Sequence, residues 1–147
     1  AVALWWQYFH RRFEQLEHAL ASRHGHDRSR MATEVFTYLH FPLTAGIILA
    51  ALGLEQAMAH ISDDHLGPLG GWALGGGLTC TLLASALTIV RAGGTISPVR
   101  WAGAGVLLAS SALLATLPPL WALALATILV AAICTHDHLR PAAAVQR

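Results

Sequence analysis

The sequence predicts an all-α, polytopic transmembrane helix bundle, and three observations carry that prediction. Four stretches are long and apolar, roughly Ala32 to Leu54, Gly71 to Val90, Trp101 to Leu117 and Leu120 to Cys134. A hydrocarbon core about 30 Å thick takes about 20 helical residues, so the first two span comfortably and the last two look short. Hydrophobic residues make up 55% of the chain and charged residues only 12%, against about 25% charged in soluble domains. Finally, the basic residues are all Arg, and successive connections carry five, none, two, none and two of them. Such alternation places the Arg-bearing connections and tail in the cytoplasm.

The segment Ala1 to Phe9 is apolar and aromatic, but as a helix it reaches only about 14 Å and cannot span. Trp5, Trp6 and Tyr8 precede Arg11 and Arg12, the order expected where a spanning helix meets the cytoplasmic aromatic belt. A signal peptide would carry its basic residues before the apolar run instead. With no initiator Met, residues 1–9 read as the end of a truncated transmembrane helix, and the chain as the C-terminal part of a longer protein whose earlier helices are partners of those present.

Residues 10–31 form the first connection. Phe13, Leu16 and Leu20 recur at helical spacing with Glu14, Glu17 and His18 between them, which predicts an amphipathic helix on the membrane surface. Ser22 to Ser29 reads as a loop. Arg11, Arg12, Arg23, Arg28 and Arg30 alternate with acids, and net charge is only +1. That argues against nucleic acid and for anionic lipid headgroups of the bilayer as the partner. The four-helix region 32–135 follows, with a turn-rich outer connection around Asp63, Asp64 and Gly67-Pro68, a third connection bracketed by Arg91 and Arg100, and an uncharged Pro118-Pro119 turn. Residues 136–147 are a cytoplasmic tail, its end from Pro141 expected to be disordered. Both cysteines, Cys80 and Cys134, belong to spans, so no disulfide logic applies. Heavy use of Ala, Gly and Arg suggests a GC-rich bacterial gene.

Chemistry concentrates in the first complete span. At about 100° per residue, Thr33, Thr37, His40 and Thr44 share a stripe about 60° wide, which Ala51 and Glu55 extend. Hydroxyls and an imidazole facing lipid would lack partners, so the stripe is expected to face the bundle interior or a hydrated cavity. Pro42, Gly46 and Gly53 lie opposite, where small residues admit a close neighbour. Pro42 removes a backbone donor and frees the carbonyl of Tyr38, which predicts a bend beside His40. A satisfied imidazole bonded to a neighbouring helix and a proton or solute pathway are the two readings of His40. Glu34 and Glu55 stand at the ends of the span, where solvated ends or loop contacts suit them.

Other clusters carry less. His24-Gly25-His26-Asp27, His136-Asp137-His138, and His60 with Asp63, Asp64 and His65 have metal-binding side chains but no ligand spacing such as HExxH. No metal and no other cofactor is therefore predicted. Gly71-x-x-x-Gly75 and Gly103-x-Gly105 sit in apolar spans and read as helix packing, and Thr81, Ser85 and Thr88 as interhelical hydrogen-bond donors.

Leu4-Trp5-Trp6-Gln7-Tyr8-Phe9 ahead of a basic connection, then Thr37-Tyr38-Leu39-His40-Phe41-Pro42 leading to Gly46-Ile47 and Ala51-Leu52-Gly53-Leu54-Glu55, resemble the C-terminal half of bacterial low-temperature-requirement protein A. The motif-bearing likeness covers about Ala3 to His60. His10 departs from it, standing where that family usually carries an acid. The resemblance implies a multi-pass protein of the bacterial inner membrane, linked by name to growth in the cold, with no established reaction and no catalytic residue. Transport of a small solute or ion is the reading a bent, polar helix favours. A membrane-embedded enzyme acting on lipid would need convergent acids, bases or metal ligands at one depth. A non-catalytic membrane scaffold is the third reading, and a homo-oligomer is compatible with each.

Overall fold

The computed structural model describes residues 33–91 and 98–139. Among them the chain forms a π-helical turn, Glu34–Tyr38, and four helices, α1 (His40–Ala59), α2 (Gly67–Arg91), α3 (Pro98–Thr116) and α4 (Pro119–Leu139). All four are long and apolar enough to cross a membrane. The expectations for the segment Ala1–Phe9, the amphipathic connection, the His24–Asp27 cluster and the end of the tail fall on residues outside those described.

The two spans that look short in the sequence are full length. With 19 residues in α3 and 21 in α4, they reach about 28 and 32 Å. Hydropathy stops counting at polar residues, but the hydrogen-bond ladder does not. Thus α3 begins three residues ahead of Trp101, and α4 continues past Cys134 to Leu139. Both open on proline, whose missing amide hydrogen the first turn does not use. Arg100, which bracketed a connection in the sequence reading, is consequently in the first turn of α3 and buried.

Consecutive helices pack antiparallel, and glycine sets how closely. A methyl group added at Gly46 would stand 2.7 Å from the Thr81 amide nitrogen, and one at Gly53 2.7 Å from the Leu74 Cα. On the other side of α2, Gly71 lies against the backbone of Ala115 and Gly75 against Ser111. Without a hydrophobic drive between helices in lipid, such backbone approach supplies the dispersion that holds spans together. Gly103 receives Ile133 of α4, whereas Gly76 and Gly105 meet nothing. Leu82, Leu107 and Leu114 are fully buried at the centre, joined by Leu74, Leu78, Ala126, Val130 and Ile133.

The connection from α1 to α2 turns at His60, whose carbonyl accepts from Asp63 N–H at 2.9 Å. It enters α2 at Gly67, where φ is 79°, a left-handed value that favours glycine. The amide of Leu66 donates to the carbonyl of Leu117 at 2.9 Å, tying this connection to the α3–α4 turn. Those two turns therefore share one end of the bundle, and Glu34 and Arg91 the other.

Candidate functional site

The site begins with a backbone irregularity. The amide of Leu39 donates to the carbonyl of Glu34 at 2.9 Å, five residues back, and the next bond, from Leu43 N–H to Leu39 O, is long at 3.4 Å. In an uninterrupted α-helix the ring of Pro42 would collide with the carbonyl four residues earlier, that of Tyr38. Closing the preceding turn over five residues re-aims that carbonyl, so the interruption appears as a π-turn just ahead of α1. The hydroxyl of Thr44 donates to the carbonyl of His40 at 3.0 Å, occupying a second acceptor in the same stretch.

Thr33, Thr37, His40, Thr44, Ala51 and Glu55 are all exposed on the outside of the described bundle, and Tyr38 is 70% exposed. Among the described residues, no helix packs on this stripe. The opposite face does what its small residues predict: Leu43, Gly46, Ala50, Gly53 and Ala57 are buried against α2, and Pro42 is half-buried. At one end Glu34 forms an ion pair with Arg91, which closes α2. The acid entering the span is thereby matched by a cation that also suits the negative end of the α2 dipole. Glu55 lies one turn before the other end of α1.

The hydroxyls of α2 differ from their expected role. Thr81, Ser85 and Thr88 are buried, but they donate to carbonyls of their own helix, those of Gly77, Leu82 and Ala84 at 2.9, 2.8 and 3.0 Å. A hydroxyl that satisfies itself on the preceding turn needs no neighbour, and it leaves the glycine faces free to close. Thr79 donates at 2.8 Å to Gly75 O and sits 3.5 Å from Ala104 O of α3. The bond that does cross helices near the site comes from a residue the sequence gave no reason to single out. The Cys80 thiol donates to the Pro42 carbonyl, 3.2 Å away. Its only sequence signal was its place three residues beyond Gly77, at the end of the glycine-rich stretch that meets α1.

No described cluster assembles a metal site. His60 Nδ1–H donates to Gln56 O at 3.1 Å, and Asp63, Asp64 and His65 are exposed in the connection. Among the described residues, no three His, Cys, Asp or Glu side chains are placed to hold a metal ion.

Four spanning helices, tied into two antiparallel hairpins and carrying polar groups at one interrupted span, define a multi-pass membrane protein. Residues 1–135 match the family model of the bacterial low temperature requirement A protein (LtrA), and the chain belongs to that family. The match extends through α3 and most of α4, well beyond the motif-bearing stretch. No curated protein and no solved structure matches the chain.

Proposed function

We propose that the chain belongs to a transporter of the bacterial inner membrane, moving a small solute or ion along the polar face of α1 in support of cold or stress adaptation. The observation that carries this reading is the interruption at Glu34–Tyr38, set directly against His40 and Thr44. Transporters build sites where a spanning helix loses its regular ladder and exposes backbone carbonyls to a ligand. An imidazole adds a group that can hold or pass a proton. The Arg-bearing end, with Glu34 and Arg91, faces the cytoplasm in this reading.

Flux tests it. The full-length protein reconstituted in vesicles is expected to carry solute or protons, and His40→Gln to abolish the flux while the protein remains folded. Undiminished flux in that variant assigns His40 to packing. No flux in the parent across a broad solute panel removes the transport reading and favours an enzyme or scaffold. Orientation is read separately: a Cys at Asp63 is expected to react with an impermeant reagent in intact cells while one at Ser22 does not, and the reverse pattern inverts the topology.

A further inference from the structure

Two arginines stand at the Glu34 end of the bundle and are placed differently. Arg91, the last residue of α2, is half exposed and forms an ion pair with Glu34. Arg100, in the first turn of α3, is buried, with 7% of its surface exposed. A long cationic side chain at the end of a span ordinarily reaches outward to water or headgroups. This one is held between helices instead. Gly71 and Gly75 of α2 meet Ala115 and Ser111 of α3. Continued along both antiparallel helices, that register puts Arg100 level with Ala86, which is 1% exposed. The guanidinium is therefore rooted about 8 Å inward of the level of Arg91.

A second nitrogen stands at the same depth. The position of Gly103 receives Ile133 of α4. Three residues back along α3 is Arg100 and three residues on along α4 is His136, about one turn toward the same end in each helix. Nδ1 of His136 is buried and has no hydrogen-bond partner among the described residues, whereas Nδ1 of His60 is bonded to the Gln56 carbonyl. A buried ring nitrogen costs free energy until a polar group reaches it.

We propose that Arg100 and His136 form a binding site for a phosphate group in the seam between α3 and α4, supplied by a lipid headgroup or by free phosphate. A guanidinium carries several N–H donors and no acceptor, so other bonds do not exhaust it, and its planar fork suits phosphate oxygens. His136 adds a donor from a second helix when its proton is on Nδ1. The positive end of the α3 dipole lies beside them. A cation inside a bundle needs an anion to match it. Glu34 is engaged by Arg91, and Glu55, Asp63 and Asp64 belong to the opposite end. Asp137, which follows His136 in the chain, is the rival counterion. The first turn of a span of this length meets the headgroup layer in either leaflet, and basic pockets between spans are where headgroup phosphates bind. The site is separate from the polar face of α1, so its test needs no flux.

The test titrates the delipidated full-length protein in mild detergent with dioctanoyl phosphatidylglycerol, with dioctanoylglycerol, which lacks the phosphate, and with inorganic phosphate. Thermal unfolding is followed for each, and bound lipid is counted by native mass spectrometry. Phosphatidylglycerol is expected to raise the unfolding midpoint by several degrees and dioctanoylglycerol to leave it unchanged. Bound lipid is expected to fall severalfold in Arg100→Gln and in His136→Ala, and to stay at the parent level in Arg91→Gln, which removes the same charge at the same end. Protection by inorganic phosphate, lost in the same two variants, identifies free phosphate as an occupant, and protection by the lipid alone identifies the headgroup. Equal loss in Arg91→Gln and Arg100→Gln overturns the proposal, since it reports attraction to surface charge only. Protection by neither phosphate compound overturns it, as does parent-level binding in His136→Ala. So does an Asp137→Asn variant that unfolds as early as Arg100→Gln when the double variant unfolds no earlier, which assigns the guanidinium to that carboxylate. If Arg100→Gln does not fold, Arg100→Lys keeps the charge without the fork and is expected to bind less lipid than the parent.

Discussion

α1 and α2 lie side by side in one hairpin and are finished in opposite ways. In α2, 67% of the spanning window is buried, against 28% in α1. α2 carries its polar groups inward, and each hydroxyl that was expected to reach a neighbour is satisfied on its own preceding turn. α1 carries its polar groups outward and buries only a row of small residues and Leu43. Polarity in a span thus has two uses here. Inside α2 it is neutralised locally, so that backbones can touch. On α1 it is left open beside a broken ladder, where it can meet something that is not part of the hairpin.

The sharpest way to break this contrast is to separate the two helices. Gly77→Leu places a side chain against the backbone of Gly46 and Ala50, and overpacking of this kind costs about 1–3 kcal/mol or more. The neighbouring Gly76→Leu, with nothing near it, is expected to be nearly silent. Detergent thermal unfolding and monodispersity of the pair compare them directly, and equal loss in both contradicts the assigned faces. At least as large is Leu82→Ala in the core, expected to cost about 2–5 kcal/mol, whereas Ile48→Ala on the outer side of α1 is expected to cost well under 1 kcal/mol by the same transfer logic.

Pro42→Ala sharpens the comparison from the other side. It returns an amide donor to the turn and allows the carbonyl of Tyr38 a regular partner. The expected outcome is thermal stability equal to or above the parent, together with reduced flux. Lower stability with unchanged flux would mean that the π-turn is a packing device. Smaller again is Cys80→Ala, which removes the interhelical thiol donor to the Pro42 carbonyl and is expected to cost about 1 kcal/mol or less, with Cys80→Ser restoring most of it. Arg91→Gln should have the least effect on stability, since the side chain is 50% exposed and pairs of that kind are worth about 0–1 kcal/mol.

Much of the hairpin architecture was legible in the sequence for simple reasons. Spans announce themselves by composition, Gly46 and Gly53 by their shared face, and the interruption near Pro42 by a missing donor. The ends of α3 and α4 were not legible, because polar residues that continue a helix look the same as polar residues that leave it. Arg100 was assigned to a connection for that reason. The partner of Glu34 was hidden because Arg91 is distant in the chain and becomes its neighbour only when α1 and α2 close. Thr81, Ser85 and Thr88 were read as donors to other helices because residue type and face give the hydroxyl's position but not its rotamer. The stripe on α1 was expected to face the bundle interior, yet its residues are exposed among those described, because a stripe's surroundings depend on which elements pack there and periodicity within a single helix does not contain that.

The bond from Leu66 N–H to Leu117 O has a different kind of consequence. It joins the two hairpins at the turns of one end through main-chain atoms alone, so every residue except proline at position 66 can make it. These turns should therefore tolerate changes of side chain and resist changes of length. One added residue between His60 and Leu66 shifts the donor out of reach and lets one hairpin slide against the other. Along this chain, divergence in those turns is permitted to be free in spelling and strict in metre.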